Sequence, residues 1–411
     1  MVKTIYLDNA ATTKPKREVI DAINKCLVED WGNPSSLYKF GIRAKDIVEE
    51  NRKIVADLID ADTFEIIFTS GACESNSHAI CGYLNSHHNC GLIISSIEHK
   101  SIMNIADAYS DRTVIVPVGE DGFVDMSRLE EALATSPFET TLVSIQYANN
   151  EIGTIQNIED ISRLVHEYGG VLHTDATQII PDRKISVDNI DMMSFSGQKL
   201  GATKGIGVLY VGMGIELSPI IYGSQEESRR GGTENVPYIA GLGEAIKHLT
   251  YPTDKQRDYF LNRILSEIKN TYLVGCDDTD CRLKNNASIC FKGVESESVL
   301  LMLDQKDICV SSGSACNSAS LKPSYVLEAI NIPKEDINSV VRFTFGENTN
   351  EEIDFAVESI KRVVGLLRRL KSAKEILFLL VVANAFKNKD FENYGRSIIQ
   401  VILGNMCVHT L

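Results

Sequence analysis

No stretch of this 411-residue chain approaches the roughly 18 consecutive apolar residues of a membrane span, and its first residues hold one lysine and no apolar run of signal-peptide length. The expectation is a cytoplasmic protein without membrane contact. Positive charge is also short. The 41 Lys and Arg stand against 56 Asp and Glu, a net charge of -15, so nucleic acid and anionic membrane would both be repelled over most of the surface. There is no internal repeat and no low-complexity segment; 44% apolar and 24% charged residues are the composition of an ordinary globular protein. Metal-ligand spacing is missing too. Cys81, His87, His88 and Cys90 form the densest group but match no zinc pattern, and Cys276 and Cys281, in an acidic loop, have no second half. The ten cysteines are irregularly spaced and read as reduced thiols. The question they leave is which thiol does chemistry.

The length predicts a large domain and a smaller one. From residue 60 to 215 an apolar β-rich run, a polar turn and a helical stretch alternate, the pattern of a parallel α/β sheet. Strands are predicted at 66–69, 92–96, 114–118, 142–146, 171–174, 192–196 and 208–211. A helix is predicted over 158–168, stopped by Gly169 and Gly170. After about residue 255 the theme changes. A helix over 259–270 precedes short strands at 288–291 and 342–345, and a helix over 351–370 puts Ile353, Ala356, Ile360, Val363, Val364 and Leu367 on one face. Two more apolar runs, 376–383 and 397–403, read as buried helices or as a partner surface.

Parallel sheets carry ligands beyond the carboxyl ends of their strands, so the polar residues there come first. Ser194-Phe-Ser-Gly-Gln-Lys199-Leu-Gly-Ala-Thr-Lys-Gly-Ile-Gly207 places Lys199 on a turn among glycines. It is either a desolvated amine able to form a Schiff base or a solvated loop lysine. Asp175, in His173-Thr-Asp175-Ala-Thr-Gln178, is either the counter-charge of a pyridinium ring or a helix cap. Gly71-Ala-Cys-Glu74 opens a helix directly after a strand, where bare backbone donors can cradle phosphate. His99 could stack on a ring and pass protons, or be structural, and Asn150 could donate to a ring hydroxyl. Cys316 ends Ser311-Ser-Gly-Ser-Ala-Cys316, whose small side chains permit motion. Its thiol is a mobile nucleophile or an inert apolar group, whereas Cys309 fits packing alone.

Together these residues resemble the cysteine desulfurases of the class V aminotransferase fold, from Tyr6-Leu-Asp-Asn-Ala-Ala-Thr-Thr13 to about residue 370. The other matching runs are Gly32-Asn-Pro-Ser-Ser36, 149–153, 175–178, Arg230-Gly-Gly-Thr233-Glu-Asn and the Cys316 loop. The resemblance implies a pyridoxal-phosphate (PLP) transferase of fold type I. It implies a large three-layer α/β domain with a mostly parallel sheet over 14–255 and a small α+β domain from 1–13 and 256–372 that carries the Cys loop; the extension at 373–411 departs from the family ending. It further implies that Lys199 holds PLP, Asp175 meets the pyridine nitrogen, His99 stacks on the ring, and Asn150 and Gln178 address the ring hydroxyl. Ala72, Cys73, Ser196 and Gln198 would hold the phosphate, with Thr233 reaching in from a second subunit of a homodimer. Arg342, assisted by Asn33, would clamp the substrate carboxylate.

The activity so implied converts L-cysteine to L-alanine and carries the sulfur as a persulfide on Cys316 to an acceptor protein, for iron-sulfur cluster assembly or thiolation. Lys199 and His99 would move the protons. Three positions depart from the family pattern: Gln198 stands where a histidine is usual, Cys73 where a threonine is, and Tyr38 where a histidine is common. Glutamine can donate a hydrogen bond but cannot shuttle protons. Two rival readings remain. One is a PLP lyase or transaminase for another amino acid, such as selenocysteine. The other is a colourless, catalytically idle docking partner for sulfur carriers.

Overall fold

The computed structural model describes residues 4–312 and 323–387, with side chains to residue 372. Cys316 and the run 397–403 lie outside the described residues. The β-rich runs pair into a seven-stranded sheet in the order β2 (Ile66–Thr69), β8 (Gly207–Val211), β7 (Met192–Ser196), β6 (Val171–Asp175), β5 (Thr140–Ser144), β3 (Cys90–Ser95) and β4 (Thr113–Val116). In this sheet β8 alone runs against its neighbours, and every other adjacent pair is parallel. Both faces are covered, which is why the strands read as unbroken apolar runs and not as alternating ones. Along β2, Ile66 and Phe68 enter a core with residues of α1 (Arg17–Glu29), α2 (Lys39–Ile59), α5 (Met126–Ala134), α6 (Ile158–Glu167) and α7 (Val236–Lys247). Ile67, between them, packs on the opposite side with α3 (Ala72–Ser86) and α4 (Lys100–Ala108).

The later residues build a second core. Strand β10 (Asn286–Phe291) lies antiparallel between β9 (Thr271–Leu273) and β12 (Val340–Thr344). Phe260 of α8 (Lys255–Glu267), Val299 of α9 (Ser296–Asp304), and Ile353, Val357 and Ile360 of α11 (Asn350–Lys387) close over Phe291 and Phe343. The chain start joins this core: Ile5 and Leu7 are buried in it, and β1 (Ile5–Tyr6) pairs in parallel with β11 (Ile308–Cys309).

Several predicted boundaries move for identifiable reasons. The run 142–146 forms β5 two residues early, because the Gln146 N–H bonds the Glu98 carboxylate at 3.0 Å instead of a neighbouring strand. Helix α8 starts at Lys255 and closes before Asn270, which turns the chain with φ 56°. Helix α11 runs unbroken across the 372/373 boundary and takes in the run 376–383, since no Gly or Pro between 366 and 387 stops it. Among the described residues no helix is long and apolar enough to cross a membrane.

Two ion pairs fasten the segment before α7. The buried Arg52 of α2 grips Glu226 with two bonds of 2.7 and 3.0 Å, and Arg230 meets Glu74 of α3 at 2.7 Å. Where β8 meets the start of α3, Gly207 touches Gly71. A Cβ on Gly207 would lie 2.5 Å from the Gly71 Cα, and backbone cannot yield as a side-chain tip can. Gly207→Ala is therefore expected to lower the unfolding free energy by about 1–3 kcal/mol, read from the denaturant midpoint. An unchanged midpoint would show that the seam has slack.

Candidate active site

Strands β2, β3, β5, β6 and β7 share one direction, so the residues after each meet along one edge of the sheet. That edge gathers Gly71 and α3, Glu98 and His99, Asn149 to Glu151, Asp175 to Gln178, and Ser196 to Lys199.

Asp175 ends β6 and is 7% exposed. Its Oδ1 accepts the Thr177 N–H at 3.0 Å, and its Oδ2 accepts from Asn76 Nδ2 at 2.8 Å. It caps a turn, yet among the described residues no Lys or Arg pairs with it. Nor can His173, which shares its strand face: burial pushes that imidazole's pKa down to about 4, against the pull of Asp175, and its two nitrogens lie 2.8 and 2.9 Å from the Ser144 and Ser194 hydroxyls. The donor set thus suits a ligand that brings its own positive charge, as a protonated ring nitrogen does.

Asn76 extends this network, because its Nδ2 also lies 3.0 Å from Ser101 Oγ. The Ser101 N–H and hydroxyl in turn meet His99 Nδ1 at 3.2 and 2.9 Å. A backbone N–H only donates, so Nδ1 accepts, and the neutral ring carries its proton on Nε2. His99 is at once the cap of α4 and a ring of defined tautomer.

Lys199 closes the short turn after β7. Its Nζ donates to the carbonyl oxygens of Ala10 and Ala11 at 2.6 and 2.5 Å. Gln178 Nε2 donates to the same Ala10 oxygen at 3.2 Å, so amine and amide converge. Gln198 lies alongside: its Oε1 takes the Thr12 hydroxyl at 3.3 Å and its carbonyl the Thr13 N–H at 3.0 Å. Beyond them, α3 starts without a side-chain cap on Gly71, whose φ of +155° favours glycine. The nearest atom to a Cβ placed there would be Ser196 Oγ, at 3.9 Å. First-turn amides of a helix point out of its N-terminus, and with the Ser196 hydroxyl they form a hollow suited to phosphate.

Arg342 arrives from β12 of the second core and is 2% exposed. Its Nη2 donates to Asp8 Oδ1 at 2.7 Å and its Nη1 to the Asn150 carbonyl at 2.9 Å. Of the residues singled out from sequence, Ala72, His99, Asn150, Asp175, Gln178, Ser196, Gln198, Lys199 and Arg342 come to this edge. Cys73 opens α3 but is exposed, as are Thr233 and Asn33, the last accepting the Ser35 N–H at 2.9 Å. Sequence reasoning missed Asp8, Asn76, Glu98, Ser101 and Glu151. Asp8 and Glu151 stood inside matched runs and Glu98 beside His99, whereas nothing along the chain marks Asn76. Among the described residues no group of three or more His, Cys, Asp or Glu is arranged to hold a metal.

The chain is similar to known proteins over most of its length. A family model described as aminotransferase class-V matches residues 5–355. The chain is 39% identical over 391 residues to a cysteine desulfurase IscS of Dictyoglomus turgidum, covering 91% of this chain and 98% of that one. It is also 39% identical over 384 residues to a cysteine desulfurase IscS of Methanosarcina thermophila, covering 90% and 94%. Among solved structures, a NifS-like protein aligns with a TM-score of 0.80 at 29% identity, over 89% of this chain and 100% of the other. SspA in complex with cysteine aligns with a TM-score of 0.74 at 32% identity, over 83% and 99%.

Glu98, beside His99, is fully buried. Burial pushes its pKa from 4.5 up to about 8, opposed by the Ser95 hydroxyl at 2.5 Å and the Gln146 N–H. A carboxyl whose folded pKa is raised adds stability that is complete below about 4.5 and is lost as pH rises through about 8. Between about pH 5 and pH 9 the stability of the native chain should fall relative to Glu98→Gln, measured by urea unfolding. A difference independent of pH would contradict the burial argument.

Proposed function

Because the chain belongs to the class-V aminotransferase family, we propose that it is a PLP-dependent cysteine desulfurase of fold type I that turns L-cysteine into L-alanine and takes the sulfur on Cys316. The observation that carries the reading is that one sheet edge holds both the Lys199 amine and the Asp175 carboxylate, the latter with no Lys or Arg partner among the described residues. The relatives named as cysteine desulfurases support the substrate.

In this reading Lys199 holds the cofactor covalently, Asp175 faces its ring nitrogen, His99 its ring face, and Asn150 and Gln178 its ring hydroxyl. Ala72, Cys73, Ser196 and Gln198 surround the phosphate, with Thr233 contributed by the second subunit of a homodimer. PLP supplies a protonated ring that draws electrons from the substrate α-carbon and so acidifies its proton. Arg342, oriented by Asp8 and the Asn150 carbonyl, would take the substrate carboxylate, assisted by Asn33. Lys199 Nζ, freed when the substrate amine replaces it on the cofactor, would accept the α-proton, and His99 would offer the proton on Nε2. The Cys316 thiolate would then attack the substrate sulfur; as the sulfur–sulfur bond forms the carbon–sulfur bond breaks, its electron pair stays on the substrate carbon, which takes up a proton on the way to alanine, and a persulfide stays on the enzyme. Reach supports this step. The Ser311 and Arg342 backbones pair at 2.7 and 3.1 Å, and Cys316 follows five residues later, at most about 17 Å along an extended chain.

The same proposal divides the chain into a cofactor-binding domain over 14–255, a small domain from 1–13 and 256–372, and the extension 373–411. It also includes a cytoplasmic setting and delivery of the sulfur to an acceptor protein for iron-sulfur assembly or thiolation. The exposed Leu37, Tyr38 and Tyr222 offer apolar surface for the second subunit.

The test is Cys316→Ala in the cofactor-loaded protein. It should keep the PLP absorbance and its change on adding cysteine, label with no sulfur, and release alanine at least about 100-fold more slowly. Sulfide and alanine released at the native rate would overturn the assignment.

A further inference from the structure

Residues 313–322, Cys316 among them, join two fastened ends. Upstream, Ser311 is paired with Arg342 on β12. Downstream, Ser324 and the first residue of α10 (Tyr325–Ala329) turn inward onto two loops of the sheet edge. Ser324 is 5% exposed, and its hydroxyl lies 2.6 Å from Glu151 Oε2 and 3.4 Å from the Leu327 N. The Leu327 N–H can only donate, so it takes a lone pair of the hydroxyl as a helix cap, and the hydroxyl hydrogen points at Glu151. Tyr325 donates its own hydroxyl to the Glu98 carbonyl oxygen, and the Lys100 ammonium sits 4.0 Å from the centre of its ring.

Glu151 is itself held rigidly. Asn149 Oδ1 accepts the N–H groups of Glu151 and Ile152 at 2.8 and 2.9 Å, while Asn149 Nδ2 donates to the Ile97 carbonyl at 3.1 Å. The loop of Asn150 and the loop of His99 are therefore stitched together, and the pair Ser324 and Tyr325 is seated on both. A carboxylate at 6% exposure is a costly group to bury for packing alone. Burial drives the Glu151 pKa upward, and the Ser324 hydrogen bond and the charges of Arg342 and Lys100 oppose it.

We propose that Glu151, acting through Ser324, is a positioning residue for sulfur transfer, fixing the downstream end of the Cys316 segment against the loops that carry His99 and Asn150. The proposal rests on the desulfurase reading above. With Ser311 and Ser324 both fixed, the connection to Cys316 is tethered at each end; releasing the downstream end should lower the effective concentration of the thiol at the site.

Two measurements on the cofactor-loaded full-length protein test it: the cysteine concentration that half-saturates the PLP absorbance change, and the single-turnover rate of radiolabelled sulfur transfer from cysteine to Cys316. Ser324→Ala should slow transfer about tenfold and leave half-saturation within about twofold. Glu151→Gln, whose amide oxygen still accepts from Ser324, should transfer within about threefold of the native rate. Joining Glu151→Ala to Ser324→Ala should slow transfer no further than the slower single variant. Half-saturation and transfer changing in parallel, Glu151→Gln as slow as Glu151→Ala, or single effects that multiply would each overturn the proposal. A native protein that releases no alanine from cysteine would instead overturn the desulfurase reading on which it stands.

Discussion

A guanidinium taken out of water must find acceptors, or the structure bears an uncompensated buried charge. Arg342 finds one on each side of the molecule: the Asp8 carboxylate at the chain start and the Asn150 carbonyl beyond β5. These two acceptors hold the guanidinium where the second core presents a cation to the sheet edge. Its planar fork keeps a fixed direction while so held. Removing either acceptor would weaken a polar link between the two cores at the place where a substrate carboxylate would have to be read.

Around that joint, burial sorts the ionisable groups. His173 is kept neutral between two hydroxyls, so it does not cancel the charge of Asp175 above it. Glu98 is driven toward its protonated form by complete burial, while Glu151, nearly as deep, has positive neighbours that oppose the same drift. Three acids within one edge are thus given three different electrostatic settings by their neighbours, with no metal site among the described residues.

Much of this was legible in the sequence. Strands buried on both faces leave unbroken apolar runs, so 66–69 and 192–196 coincide with β2 and β7. Helix 158–168 was readable because Ile161, Leu164 and Val165 recur at helical spacing and Gly169, at φ +69°, ends it. The site residues at strand ends were legible because their order along the chain matches a family. What was not legible depends on contacts between distant residues. Glu151 and Ser324 are 173 positions apart, and Asn76 becomes informative only when α3 is laid across β6. Strands of two or three residues, such as β1, β9 and β11, are too short to show a period. The backbone does not mark residue 372 either, because a helix without Gly or Pro simply continues.

The contact of Lys199 with Ala10 and Ala11 couples ligand capture to chain assembly. Any molecule joined to that nitrogen must compete with two carbonyls of the segment whose preceding strand completes the second core. Occupancy of the sheet edge and docking of the N-terminal strand are therefore in thermodynamic linkage, each able to shift the population of the other.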